Sequence, residues 1–242
     1  MSVRPRLLDL FCGAGGCSMG YHRAGFDVTG VDIKPQPRYP FIFIQGDALE
    51  YLREHGHEYD AITASPPCQA FSAMRKGRWQ DREHPDLIEP TRATLKATGK
   101  PYVIENVEGA PLMAPITLCG TMFGLRTRHG SQLRRHRLFE APWFFGLIPT
   151  CAHNEYAAIG VYGGGQHPQR RCNDANSRLP ATIGVYVNSG GSSVRDGTTG
   201  FGVVDRRDAM GIDWMTNAEL SQAIPPAYTQ FIGEQLLAEV TL

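Results

Sequence analysis

Short apolar runs alternate with helical patterns through the first 139 residues of the chain. Apolar runs bounded by glycine, proline or charged residues are typical of buried strands, whereas spaced apolar residues on a polar background are typical of helices. This alternation predicts an α/β fold with a doubly wound, mostly parallel sheet of the Rossmann-like kind. The strand-like runs are 6–11, 27–31, 41–44, 59–64 and 102–107, and the helical patterns cover about 18–24 and 86–98.

The later part of the chain has a different pattern. Residues from about 140 to 215 are rich in glycine and polar side chains, with only short apolar runs such as 183–187. A helical pattern returns from Asn217. We therefore expect one main domain built from residues 1–139 and 216–242, and a small irregular lobe formed by residues 140–215.

The first strand-like run leads directly into a glycine-rich turn from Cys12 to Gly16. Glycines at a turn between a strand and a helix allow a ligand to approach the backbone closely. The next two strands end at Asp32 and Asp47, and a carboxylate at the second strand end is suited to the hydroxyls of a ribose. Either aspartate alone is more often a helix cap, but the three strand ends together predict a site for an adenosine-containing cofactor.

Candidate catalytic residues follow three other strand-like runs. Cys68 comes after two prolines that fix the chain at a ligand-binding edge, so its thiol is a candidate nucleophile, although an isolated cysteine is more often structural. Glu105 ends a strand at the same edge, where it can act as an acid, cap a helix or form a surface ion pair. Arg135 and Arg137 alternate along a strand, so they are expected to point together toward a phosphate or carbonyl, unless they lie on a solvated edge.

In their order along the chain, these segments resemble the cytosine-C5 DNA methyltransferase family. The resemblance includes the glycine turn, the two acidic strand ends, the Pro-Pro-Cys-Gln segment, the arginine-rich strand and three segments near the end of the chain. The matching positions are 9–16, Asp32, Asp47, 66–69, 105–107, 135–137, 178–182, 224–228 and 231–233.

The resemblance implies an enzyme that transfers a methyl group from S-adenosylmethionine to C5 of cytosine in double-stranded DNA, as in restriction-modification. It implies that Cys68 attacks C6 of a flipped-out cytosine. Glu105 would act at the ring N3, and Arg137, together with Arg135, would hold the O2 carbonyl. The cofactor residues that the resemblance implies are Phe11, Gly13, Ala14, Gly16, Asp32, Ile33, Asp47, Ala48, Pro67, Leu87 and Gln222.

The chain departs from the family pattern at three places. Leu133 stands where the family usually has glutamine, and Ser221-Gln222 stands where it has Gly-Asn, which changes the reach of the Gln222 amide. Only about 38 residues separate Phe139 from Arg178, where the family carries its target-recognition region. Polar side chains in this interval are candidates for reading bases, or they are simply surface residues. These are Gln166, Gln169, Arg170 and Arg171.

Composition narrows the remaining choices. The chain has 24 basic and 24 acidic residues, so binding to DNA would depend on local arginine clusters. No apolar run approaches the roughly 20 residues of a membrane span, and the start shows no signal-peptide pattern, so we expect a cytoplasmic monomer. Six cysteines fit a reducing interior. No metal is expected, because the spacing of Cys151, His153, His167 and Cys172 matches no familiar zinc site.

Two other functions remain open at this point. One branch of the family methylates cytosine in tRNA with the same catalytic set, and a noncatalytic nucleic-acid-binding module is the second alternative. The short aromatic signature of the RNA branch is not found in this sequence. The intact set of Cys68, Glu105 and the two arginines favours an enzyme over a binding module.

Overall fold

The computed structural model describes residues 3–67, 86–153, 158–159 and 202–241. Its strands are β1 (Arg6–Leu10), β2 (Asp27–Asp32), β3 (Ile42–Gln45), β4 (Ala61–Ala64), β5 (Tyr102–Asn106), β6 (Ile116–Leu118), β7 (Gln132–Leu133), β8 (Arg137–Glu140) and β9 (Ala158–Ile159). Its α-helices are α1 (Gly16–Ala24), α2 (Ala48–His55), α3 (Ile88–Ala97), α4 (Val203–Met210), α5 (Asn217–Gln222) and α6 (Pro226–Thr241). Short 3₁₀ helices cover Gly56–Glu58 and Gly120–Phe123.

Seven strands form the main sheet, in the order β3-β2-β1-β4-β5-β8-β6. The first five pair in parallel, with Leu10 at the end of β1 opposite both Val31 of β2 and Ala64 of β4. This arrangement confirms the predicted doubly wound, mostly parallel α/β fold. Because β1, β2 and β4 end level with one another, the glycine turn, Asp32 and the Pro66 turn meet at one edge, where ligands bind in such sheets.

One strand near the far end of the sheet, β8, runs opposite to its neighbours. β8 is antiparallel to β5 and β6. Glu105 lies opposite Phe139, and Asn106 lies opposite Leu138. The antiparallel pairing brings the residues just before β8 to the edge at which β5 ends, which is how the arginine-rich segment reaches Glu105.

A hydrophobic core covers each face of the main sheet. On one face α1 packs against α6, and Tyr21, Phe26, Tyr228 and Ile232 are completely buried there. On the other face α2 and α3 pack against each other and against the sheet, burying side chains from both helices and strands. These side chains include Leu8, Leu52, Ile62, Leu95 and Ile104.

A smaller unit is built around the two-stranded parallel sheet of β7 and β9 together with α4 and α5. Leu133, Ile159, Met210 and Leu220 form its core, together with Ala14 from the glycine turn. The Trp214 indole N–H donates to the Ala14 carbonyl at 2.9 Å, so this unit is attached directly to the turn after β1. The predicted boundaries of the small lobe, 140–215, stay a prediction. Within the described residues, no helix has both the length and the apolar character needed to cross a membrane.

Gly20 allows the close contact between α1 and α6. A β-carbon at this position would overlap the Thr229 hydroxyl and the Pro226 carbonyl. We expect Gly20→Ala to lower the free energy of unfolding by about 3 kcal/mol, because the rigid backbone of α6 has to move to make room for the β-carbon. The higher helix propensity of alanine offsets only part of this cost. Urea unfolding measures this, with Gly46→Ala as the control, since a β-carbon at Gly46 meets nothing within 4 Å. Equal stability of the two variants would contradict this account of the packing.

Candidate functional site

The turn after β1 is held against the tip of β2 by hydrogen bonds. The Gly13 amide donates to Asp32 Oδ2 at 3.0 Å, and the Cys12 amide donates to the Val31 carbonyl at 3.2 Å. Phe11 and Gly13 both have positive φ angles, 58° and 50°. A β-carbon at Gly13 would meet nothing within 4 Å, so the backbone of the turn faces open space. A ligand can therefore approach the chain closely at this position.

Asp32 and Asp47 have different roles in the structure. Asp32 accepts hydrogen bonds from the amides of Gly13 and, through Oδ1 at 2.9 Å, of Lys34, so it fixes the turn and is no helix cap. Asp47 caps α2, because its Oδ1 accepts the amides of Leu49 and Glu50, each at 2.9 Å. The alternative that the sequence left open is thus observed for Asp47. The cap uses only Oδ1 of the carboxylate. That Asp47 also binds the cofactor stays a prediction.

The other predicted cofactor residues fall into two groups. Phe11, Pro67 and Leu87 are half-buried, and Ile33 has a 64% exposed apolar side chain beside Asp32. Ala48 is buried at the start of α2, and Gln222 is exposed at the end of α5. Ala14 and Gly16 also have packing roles, and their roles in cofactor binding stay predictions. Ala14 belongs to the core of the smaller unit, and a β-carbon at Gly16 would lie 2.6 Å from the Ile224 carbonyl.

Glu105 and Arg137 form a buried ion pair at the junction of β5 and β8. Arg137 Nε lies 3.2 Å from Glu105 Oε1, and the two side chains are 13% and 7% exposed. Burial raises the pKa of the Glu105 carboxyl above its ordinary value, and the positive charges of Arg137 and Arg135 partly oppose that rise. The site therefore holds a carboxyl group that keeps its proton to a higher pH than an exposed glutamate does.

Arg135 connects the arginine-rich segment to the last two helices. Its side chain is buried, and Nη2 donates to the Ser221 carbonyl at 2.9 Å. The Tyr228 hydroxyl donates to the Arg135 carbonyl at 2.5 Å. Arg135 thus links the arginine-rich segment to α5 and α6, while Arg137 contacts Glu105. The positive charges of both arginines act on Glu105, and the expectation that the two guanidinium groups point together stays a prediction.

The Asn106 side chain ties the end of β5 to the proline turn after β4. Its Nδ2 donates to the Pro66 carbonyl at 2.9 Å, and its Oδ1 accepts the Val107 amide at 2.9 Å. Sequence reasoning assigned no role to this residue, although it follows Glu105 directly. Asn106 fixes the turn that leads into Cys68. Cys68 itself lies outside the described residues, as do Gln166, Gln169, Arg170 and Arg171.

Asp9 lies on β1, and the sequence analysis included it in the matching segment 9–16 without giving it a role. It is completely buried and accepts a hydrogen bond from the Ser18 hydroxyl, which in turn accepts one from the Tyr39 hydroxyl at 2.8 Å. Burial, reinforced by the negative charges of Asp32 and Glu105, raises the pKa of Asp9 to about 7.

The raised pKa of Asp9 predicts a specific pH dependence of stability. In the unfolded chain the Asp9 carboxyl has its ordinary pKa of 3.8 and releases its proton above that pH, whereas in the folded protein it keeps the proton up to about pH 7. The free energy of unfolding therefore falls as the pH rises from 4 toward 7. As the pH rises over this range, the free energy of unfolding of the unsubstituted protein should fall by about 4 kcal/mol relative to that of Asp9→Asn, which has no carboxyl to ionise. Urea unfolding at a series of pH values measures the difference, with the exposed Asp27→Asn as control. Parallel pH profiles for Asp9→Asn and the unsubstituted protein would contradict this assignment.

Comparison with known proteins agrees with this geometry. The family model for C-5 cytosine-specific DNA methylase matches residues 5–112. The type II methyltransferase M.XorII of Xanthomonas oryzae is 33% identical over 123 residues, which cover 44% of this chain and 29% of that protein. The type II methyltransferase M.AquIA of Picosynechococcus is 33% identical over 125 residues, covering 44% of this chain and 50% of that protein. The match thus spans half or less of the length of these relatives.

Solved structures share the fold over nearly the whole chain. The match to the Dnmt2 methyltransferase of S. pombe covers 99% of this chain and 100% of that structure. Its TM-score is 0.58 and its sequence identity is 12%. The Entamoeba histolytica methyltransferase EhMeth covers 99% of both chains with a TM-score of 0.53 at 12% identity. At this identity the likeness concerns the fold. Over residues 5–112, which carry the glycine turn, Asp32, Asp47, the proline turn and Glu105, the chain is similar to C-5 cytosine-specific DNA methylases.

Proposed function

We propose that this chain transfers a methyl group from S-adenosylmethionine to C5 of cytosine in double-stranded DNA, with Cys68 as the covalent nucleophile. The observation that carries the proposal is the buried ion pair of Glu105 with Arg137, beside the proline turn that leads into Cys68. A cytosine ring is weakly nucleophilic at C5, so it has to be activated before it can accept a methyl group. A thiolate, a protonated carboxyl and a guanidinium at one sheet edge are the groups that this activation needs.

The residues around the turn after β1 fit an adenosine-containing methyl donor. The space above Gly13 is open, the apolar Ile33 side chain is exposed beside it, and Asp32 and Asp47 place carboxylates at neighbouring strand ends. In this proposal Asp32 binds the ribose hydroxyls, Ile33 and Phe11 pack on the adenine, and S-adenosylmethionine supplies an electrophilic methyl group.

The chemistry is assigned residue by residue. The Cys68 thiolate attacks C6 of the flipped-out base, which forms a carbon–sulfur bond and moves electron density to C5 and toward N3. Glu105 donates a proton to N3 as that negative charge develops, a role that its raised pKa favours. Arg137 holds the O2 carbonyl and keeps Glu105 in position. C5 then takes the methyl group as the bond between the methyl carbon and the sulfur of the donor breaks. Transfer of the C5 proton to water re-forms the C5–C6 double bond and expels the Cys68 thiolate, and N3 returns its proton to Glu105, which gives 5-methylcytosine.

Transfer of radiolabelled methyl groups from S-adenosylmethionine tests the proposal. Unmethylated duplex DNA and unmodified tRNA are the two substrates, and bisulfite sequencing locates the products. Label at cytosine C5 in duplex DNA supports the proposal. Label only in tRNA would replace it with RNA methylation, and binding of the cofactor without transfer to either substrate would favour a noncatalytic module.

A further inference from the structure

Four metal-ligand side chains converge beside the arginine-rich segment. They are two thiols and two imidazoles, and their sulfur and nitrogen atoms all lie within 4.8 Å of one another. Cys119 is buried, His136 and Cys151 are half-buried, and His153 is exposed. None of the four belongs to the proposed catalytic or cofactor site.

The distances within the cluster match those of one shared metal ion. In a tetrahedral zinc site, a sulfur at about 2.3 Å and a nitrogen at about 2.0 Å from the ion lie about 3.5 Å from each other. His153 Nε2 lies 3.3 Å from the Cys119 sulfur and 3.0 Å from the Cys151 sulfur. His136 Nε2 lies 3.6 Å from the Cys151 sulfur. The two imidazole rings are inclined at 61° with centroids 5.2 Å apart, so their ring planes do not stack.

The donor set selects the ion. Two sulfurs and two imidazole nitrogens in tetrahedral arrangement favour zinc over the oxygen-preferring cations. Four protein ligands leave no position for water or substrate, which is typical of a structural site rather than a catalytic one. We propose that Cys119, His136, Cys151 and His153 bind a structural zinc ion.

Thr121 supports the two sulfurs from outside the cluster. Its hydroxyl lies 3.4 Å from the Cys119 sulfur and 3.5 Å from the Cys151 sulfur, and it accepts the Ala152 amide at 3.3 Å. Hydrogen bonds of this kind orient ligands and tune their affinity for the metal. Gln132 makes a second hydrogen bond to this segment, from its Nε2 to the Ala152 carbonyl at 3.2 Å. The segment that carries Cys151 and His153 is thus held on the cluster by its backbone as well.

The zinc ion would join three parts of the chain that are distant in sequence. Cys119 precedes the 3₁₀ helix Gly120–Phe123, and His136 stands between Arg135 and Arg137. Cys151 and His153 lie on the segment that leads toward β9. The ion would therefore fix the backbone that carries Arg137 and anchor the start of the predicted recognition lobe. The proposal does not depend on methyl transfer, since it rests on the geometry of the cluster alone.

The sequence could not show this site. The spacing of the four ligands matches none of the familiar zinc patterns, in which pairs of ligands are separated by two to five residues. Sequence reasoning set Cys151 and His153 beside His167 and Cys172, which lie outside the described residues, and expected no metal. In the structure, the other two ligands are Cys119 and His136. Both precede Cys151 in the sequence, whereas His167 and Cys172 follow it.

Metal analysis of the unsubstituted chain, residues 1–242, tests the proposal directly. The protein is expressed in zinc-supplemented medium, purified under reducing conditions and dialysed, and its zinc is measured by mass spectrometry. We expect one zinc ion per chain. Protein reconstituted with Co²⁺ should show the intense visible bands of tetrahedral cobalt and a thiolate charge-transfer band. Reduced protein that binds neither metal would overturn the proposal, as would a disulfide between Cys119 and Cys151 in protein prepared without reductant but with zinc.

Substitution of the two accessible ligands shows which residues hold the ion. Cys151→Ser and His153→Ala are expected to lose the zinc and the cobalt charge-transfer intensity, with little risk to the buried core. Cys17→Ala, in α1, and the exposed His57→Ala are the matched controls and should retain one ion. Thr121→Val is expected to weaken zinc binding about tenfold in a chelator competition, because it removes the hydroxyl next to both sulfurs. Zinc that persists in both ligand variants would show that the ion is held elsewhere.

Discussion

Replacing Cys68 by alanine is expected to abolish methyl transfer to cytosine while leaving binding of S-adenosylmethionine unchanged. Without the thiolate no bond forms at C6, and C5 stays too weak a nucleophile to attack the methyl group. We expect the rate of transfer to fall by on the order of 10⁴-fold or more, as for other enzymes that lose a covalent nucleophile. Radiolabel incorporation into duplex DNA measures the rate, and calorimetry measures cofactor binding.

Cys17→Ala is the matched control for this experiment, because it also removes one thiol but from the core formed by α1 and α6. A duplex that contains 5-fluorocytosine provides an independent measurement. The fluorine cannot leave as the C5 proton does, so the covalent complex should accumulate with the unsubstituted protein and be absent with Cys68→Ala. Substantial transfer by Cys68→Ala would remove Cys68 from the mechanism.

Glu105→Gln is expected to lower kcat by about 10²- to 10³-fold while KM for DNA changes little. Glutamine keeps the shape of the side chain but has no acidic proton to deliver to N3, so the charge that develops in the transition state is less well stabilised. Since burial raises the pKa of Glu105, the unsubstituted protein should lose activity toward high pH as this carboxyl ionises, and the variant should lack that limb of the profile. Single-turnover methylation over a pH series measures both effects.

A second buried ion pair provides the matched control. Glu140 accepts hydrogen bonds from Arg92 Nε and Nη2, both at 2.8 Å, and lies on β8 with Glu105 opposite its neighbour Phe139. Glu140→Gln also removes the buried charge that pairs with a buried arginine, although Arg92 keeps its ion pair with the exposed Glu89, so both variants should lose stability. Only Glu105→Gln should lose methyl transfer per folded molecule. An equal loss of activity in both variants would show that Glu105 acts through stability.

The part of the site that depends on strand order was predictable from the sequence. Each of β1, β2 and β5 is a short, largely apolar run that ends at or next to the residues of interest, and parallel strands necessarily bring those ends to one edge. The sequence therefore predicted the glycine turn, Asp32 and Glu105 as neighbours, and the structure connects the first two through Gly13.

The parts that depend on side-chain direction or on contacts between distant segments were not predictable. The Asn106 tether to Pro66 depends on an amide whose direction no pattern encodes. The contact of Arg135 with Ser221 depends on where β8 begins and how α5 packs, 86 residues later. The helix-cap role of Asp47 was one of two open alternatives, since both place a carboxylate at the same strand end.

The packing of α1 against α6 has a consequence for how the chain folds. The two helices are about 200 residues apart in sequence, and α1 buries its Tyr21 face against a partner that is synthesised long after it. Closing so long a loop is slow, because its entropic cost precedes the contacts that offset it. On the ribosome, the central strands would therefore have one uncovered hydrophobic face until α6 emerges, which makes this interval the one in which a chaperone would bind.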